Sequence, residues 1–221
     1  MYQLTKLSRF FLISCCSIIL MAGCVNKEYE AINPSAKNSD SLSLLFGKNP
    51  YSSIDQSPMD VSYYPEGYPQ IKMALPQQTA GPIVRVIYSR PHKKGRIIFS
   101  NLENSLCKYE QPWRFGANES TEIEFYEPVV INNKNLAAGR YVLYCIPYED
   151  KWVLAVNSNL HSWGLHIDST QDVVRIELPV QEQKPVLEDF TMVFKPAFYG
   201  ANLIIAWDNI KVLLPIYFSK S

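Results

Sequence analysis

The stretch R-Y-V-L-Y-C-I-P-Y-E-D-K-W-V-L-A-V-N, residues 140–157, decides the fold class. Residues 140–146 and 152–157 are apolar runs of strand length, rich in Val, Leu, Tyr and Trp, which fit a pleated, half-buried surface. Between them Glu149-Asp150 is a pair that bonds its own backbone in a tight turn, so the unit predicts an antiparallel hairpin. The same rhythm extends in both directions. Candidate strands cover 83–89, 97–99, 121–125, 129–131, 173–180, 190–195, 201–207 and 211–218, with Asn132-Asn133 and Asp208-Asn209 as further turn pairs. Ten short strands joined by hairpins predict an all-β domain, a single antiparallel β-sandwich of jelly-roll-like or barrel-like form. No stretch carries a helical period of useful length, and no internal repeat is visible.

Composition agrees with this reading. Tyr (14) and Pro (15) outnumber Gly (9), a balance that suits short strands and rigid turns. The first 23 residues read as a lipoprotein signal peptide: Lys6 and Arg9 form a positive start, residues 10–21 an apolar run, and Ala22-Gly23 the small residues before a cleavage point at Cys24. A dozen apolar residues fall short of the roughly 20 that span a bilayer as a helix. Cys24 is therefore the expected lipidation site, carrying diacylglyceryl and palmitate-type chains that hold the protein to a membrane. Lys27-Glu28-Tyr29-Glu30 follows where an inner-membrane retention Asp is absent. The expected location is the cell envelope, at the outer membrane, on its periplasmic or surface face.

Of the 21 basic residues the leader holds two, and it holds none of the 21 acidic ones, so the mature chain carries 19 against 21, a net charge of −2. That balance speaks against a nucleic-acid partner, which calls for a basic face. Residues 24–55 are polar, with one short apolar patch at 42–46, and read as a lipidated flexible tether. The expected domain is then 56–221, about 165 residues, enough for one core. Only Cys107 and Cys145 fall within it, and the sequence leaves open whether they pair.

Residues 102–118 break the strand rhythm, being too long for a hairpin and too polar for a strand, and long loops on rigid sandwiches commonly carry function. S-P-M-D (57–60), Y-S-R-P-H-K-K-G-R-I-I-F (88–99), W-R-F-G-A-N-E-S-T (113–121), A-G-R-Y-V-L (138–143), W-V-L-A-V-N (152–157), W-G (163–164) and D-V-V-R (172–175) occur in that order. Over about residues 57–180 the chain resembles the bacterial family known as domain of unknown function 2911 (DUF2911). The resemblance implies an envelope setting and a β fold, and implies no reaction.

Arg90, His92, Lys94 and Arg96 in one turn, with Trp113, Arg114, Asn118 and Glu119 in the long loop, form the candidate ligand-binding constellation. In the functional reading Trp113 is a flat stacking face, Arg114 and Arg96 fork toward a carboxylate, phosphate or sugar hydroxyl, and Asn118 fixes orientation. In the structural reading Arg114 pairs with Glu119 to buttress the loop, Gly116 permits a turn, and Asn118 bonds stray backbone. Trp152, Trp163 and Trp207 sit among strand neighbours and read as core. His166 and Asp168 would share a strand face with His161 nearby, which is too little for a metal site; no metal and no other cofactor is expected.

Two functions from different classes follow. The first is a noncatalytic binding or assembly module, holding a small anionic or sugar-like ligand or an envelope protein. The second is a small hydrolase or isomerase with Glu119 as the catalytic general base and Arg96 or Arg114 as its electrophilic partner. A neighbouring Arg would lower the Glu119 pKa and weaken it as a base, which counts against the second.

Overall fold

In a computed structural model, residues 57–218 are described, within a compact unit of residues Ile54–Ser221. The leader, Cys24, the Lys27–Glu30 segment and the 42–46 patch lie outside the described residues. In the described residues ten strands form two antiparallel sheets. The first takes β1 (Met59–Tyr64), β2 (Val84–Ser89), β3 (Thr121–Phe125), β6 (Gly139–Pro147), β7 (Lys151–Asn157) and β8 (Asp172–Pro179), in the order β1-β2-β3-β6-β7-β8. The second takes β4 (Val129–Ile131), β5 (Lys134–Leu136), β9 (Gln181–Ala197) and β10 (Gly200–Phe218), in the order β5-β4-β10-β9. The sheets pack as a sandwich, and neither closes into a barrel.

Period-two alternation explains the packing. Val84, Val86 and Tyr88 of β2 and Ile123 and Phe125 of β3 are buried, while Arg85, Ile87, Glu122 and Glu124 between them face outward. On β10, Leu203, Ile205, Val212, Leu214 and Ile216 meet them from the other sheet, so one core serves both. At its centre the Trp113 ring lies within 6 Å of Phe99, Phe115, Trp152, Phe190 and Trp207.

The predicted hairpins at 132–133 and 149–150 are present, and Asn132 and Asn133 both take positive φ (49° and 59°), as a two-residue hairpin turn demands. Several elements differ from expectation: β1 and β5 are not among the candidate strands, and β9 begins nine residues before the expected 190–195. Residues 201–207 and 211–218 are one strand, β10. Asp208 (φ 57°) sits at shifts of register against β9, a bulge in place of a turn. Residues 97–99 make only an isolated bridge, Phe99 to Cys107. Residues 68–74 form a short helix, α1 (Tyr68–Ala74), which has no buried residue and so leaves no apolar period to read.

Candidate functional site

The candidate residues fall into two places. The first is the turn after β2. Arg90 donates to Asp60 (3.1 Å) and to the Phe190 carbonyl (3.3 Å), His92 Nδ1 meets Asp189, and Lys93 Nζ reaches Asp208 Oδ1 at 2.5 Å. The Lys94 backbone N–H donates to Glu188 Oε1 (2.7 Å), and Arg96 turns its guanidinium back on the Lys93 and His92 carbonyls. Three of these acids, Glu188, Asp189 and Asp208, belong to β9 and β10, so the basic turn is a clasp between the sheets and partly neutralised. Ser57, His92, Lys94 and Arg96 still line an open cavity of about 280 Å³. The sequence singled out Asp208 only as half of a turn pair and Asp189 not at all, because an acid beside a strand reads as an ordinary solvated residue.

The second place is the W-R-F-G-A-N-E loop, whose path follows from its backbone pairing. Trp113 exchanges two hydrogen bonds with Cys145 of β6 (2.7 and 2.9 Å), and Thr121, two places along that strand, pairs with Leu143. Residues 114–120 are therefore an excursion between adjacent positions on a single edge. Phe115 (φ 58°), Gly116 (φ 141°) and Asn118 (φ 60°) supply the positive φ values that fold it. The Thr121 hydroxyl ties it down at the Phe115 carbonyl (2.6 Å), and the Trp113 indole N–H donates to the Gly116 carbonyl (3.3 Å). A Cβ on Gly116 would stand 2.8 Å from the Ser89 carbonyl oxygen.

The excursion sorts its side chains. Trp113 and Phe115 enter the core, so Trp113 offers no stacking face. Arg114 lies under the loop that follows β7: a Cβ on Gly164 would stand 2.8 Å from Arg114 Cβ and Cδ and from Ser120 Oγ. One Arg114 amino nitrogen is buried without a hydrogen-bond partner, and burial lowers the guanidinium's pKa from its usual value. No ion pair joins Arg114 to Glu119 among the described residues. Asn118 and Glu119 are exposed, and Glu119 reaches a different cavity from that of Arg96.

That cavity, about 360 Å³, lies on the outer face of the first sheet. Met59, Ile87 and Leu160 give it apolar walls, Glu119 and Glu122 carboxylates, and His161 and Trp163 close it from the post-β7 loop. Ser120 fixes that loop by donating to the Ser162 carbonyl (2.7 Å). Trp163, expected in the core, is 58% exposed, whereas Trp152 and Trp207 are fully buried as expected. The cavity's lining contains no Lys or Arg. Glu122 is paired with Arg140 (3.5 Å) from outside the lining, while Glu119 adds a second carboxylate, and acids at the wall suit hydroxyl donors better than an anion. His166 and Asp168 lie off any strand: Asp168 caps the turn Ser169–Gln171, accepting from the Thr170 hydroxyl (2.6 Å), the Gln171 side-chain amide (2.9 Å) and the Thr170 backbone N–H (3.0 Å), bonds that hold its carboxyl below the usual range. Among the described residues no three His, Cys, Asp or Glu side chains are grouped to hold a metal. Cys107 and Cys145 are both buried and free.

The family model for DUF2911, described as a protein of unknown function, matches residues 71–216. No curated protein and no solved structure matches the chain.

Proposed function

The chain belongs to the DUF2911 family, proteins of unknown function, and from that premise we propose that it is an envelope-anchored lipoprotein whose sandwich is a noncatalytic binding module for a sugar-like ligand. The observation that carries the ligand reading is Trp163, an exposed indole lining one cavity with Glu119 and Glu122. An exposed tryptophan in a concave site is a surface for a partly apolar ligand. A sugar ring lays its C–H face on such an indole while its hydroxyls donate to carboxylates. The apolar walls and the absence of cationic lining favour that ligand over the small anion that the sequence also allowed. Acid–base chemistry at Glu119 would need an electrophilic partner, and neither Arg96 nor Arg114 lines its cavity.

Anchoring rests on the sequence alone, on Cys24 behind Ala22-Gly23 and the apolar run. Cells fed a fatty-acid probe should label the wild type and leave Cys24→Ser unlabelled; equal labelling of both removes the anchor from the reading.

The ligand reading is tested with a glycan array followed by titration calorimetry on the mature protein. Trp163→Ala should weaken the best glycan about ten-fold or more. Glu119→Gln keeps the shape but replaces a charged acceptor with a neutral one, a loss of about ten- to hundred-fold. A glycan bound equally by both variants, or an array without a hit, sinks the sugar-site assignment.

A further inference from the structure

The end of the sandwich where β1 finishes is unusually aromatic, and its apolar groups point into solvent. Tyr64 packs on Phe218 (ring centroids 5.2 Å apart), Tyr199 on Tyr217 (4.3 Å) and Tyr63 on Tyr68 of α1 (5.6 Å). The Phe218 amide donates to the Tyr199 carbonyl (3.2 Å), and Lys195 Nζ meets Glu66 Oε1 at 2.5 Å. These contacts bring α1, the tip of the β9–β10 hairpin and the end of β10 to one place. Outside them Phe198 stands fully exposed at the hairpin tip, Met73 is 81% exposed, and Ile71, Leu75 and Tyr217 are each more than two-fifths exposed. Scattered apolar residues are ordinary on a surface; several converging at one end mark a contact face.

We propose that this end is the face the protein lays on a phospholipid surface, with Phe198 and Met73 entering the headgroup–acyl boundary and the tyrosines ringing them. The inference rests on the lipid anchor proposed above. Tyrosine is suited to that boundary because its ring is apolar and its hydroxyl polar. The charged groups at this end are compatible with it. Lys195 is paired with Glu66, Arg85 with Glu124 (2.7 Å), and Lys72 bonds the Pro76 and Thr79 carbonyls; Glu127, exposed two residues before the Val129 that pairs with Phe218, is the acid at this end that has to stay on the water side of the boundary.

The length of chain between anchor and domain selects the occupant. Thirty-two residues separate Cys24 from Ser57. At up to ~3.5 Å each they reach about 110 Å, more than the ~63 Å of the 19-residue β10 fully extended. The lipid thus holds the domain at high local concentration beside a bilayer without dictating which face meets it. The exposed apolar end makes that choice. A second copy of the chain lacks this advantage, since it has to be found by diffusion.

The test uses the lipidated mature protein in vesicles of phosphatidylethanolamine and phosphatidylglycerol carrying spin-labelled lipids. Two variants place a reporter indole, Phe198→Trp at the face and Asn104→Trp on an exposed loop of the basic-turn side. Taken as the difference from the wild type, whose four tryptophans are a common background, the emission added at position 198 should lie to the blue and be quenched at least about two-fold more than that added at position 104, as for a ring within the ~5–10 Å interfacial layer. Equal quenching at both positions overturns the inference while a fatty-acid label on Cys24 leaves the anchor standing. A blue shift that needs no lipid and grows with protein concentration assigns the face to a second copy instead. A chain without the label loses both the anchor and this face.

Discussion

A methyl group at position 164 would meet Arg114 Cβ, Arg114 Cδ and Ser120 Oγ, each at 2.8 Å, on a backbone whose φ is 81°. Gly164→Ala should therefore cost about 1–3 kcal/mol in urea unfolding and displace Trp163, so ligand affinity falls with stability. Arg114→Ala removes the Cδ contact but keeps Cβ, so the double variant should regain only part of the lost affinity. The buried thiols give a second residue-level expectation. Burial pushes Cys107 up to about 12 and Cys145 well above the usual value. In the native protein both should resist alkylation at pH 8 and react only in denaturant. Their folded-state pKa is raised, so their stabilisation is whole below the unfolded-state value near 9. For Cys107, between about 9 and 12 the unfolded chain releases a proton that the fold retains, and stability should fall by about 1.4 kcal/mol per pH unit; Cys145 acts in the same direction. Residue roles were the least legible part of the sequence. Trp113 sits among Arg, Asn and Glu and looks like a platform, while Trp163 sits near other apolar residues and looks like core. The structure exchanges them, because the pairing of Trp113 with Cys145 turns its ring inward, a contact 32 residues away that no local pattern records.

Elements with local causes were legible. Alternation marks β2 and β3, apolar runs of strand length mark β6 and β7, and Asn132-Asn133 marks the β4–β5 turn. The Asp208 bulge was not, since an Asp-Asn pair at positive φ serves a turn and a bulge equally well and only the partner strand decides. α1 was missed because all its residues are at least partly exposed. The clasp after β2 is the element-level device that most needs a test. The side chains of Lys93 and Asp208 are 23% and 17% exposed, those of Arg90 and Asp60 35% and 42%. Asp208→Asn keeps the tolerance for positive φ and removes the charge, and should cost about 1–2 kcal/mol in denaturant titration. Asp60→Asn, at the wetter pair, should cost less than about 1 kcal/mol. The reverse order would mean that the sheets are not held together at Asp208.

At the scale of the molecule both sheets share the Trp113 cluster, so neither has a core of its own. Thermal or urea unfolding of the described domain should be one transition, with near-ultraviolet circular dichroism of the aromatic cluster and far-ultraviolet signal of the strands coinciding. Separated curves would mean two folding units. The second sheet also carries a consequence for how the protein comes into being. Its order places β10, the last strand to be synthesised, between β4 and β9, and the clasp joins residues 97 and 115 positions apart. Such pairing is slow, because long loops must close before any contact rewards them. A nascent chain that ends before residue 200 holds β4, β5 and β9 but lacks β10, the strand that joins them, so the second sheet is incomplete and much of the first sheet's inner face is bare. Folding waits for the completed chain, and until then the growing polypeptide depends on whatever shields its aromatic surface from its neighbours.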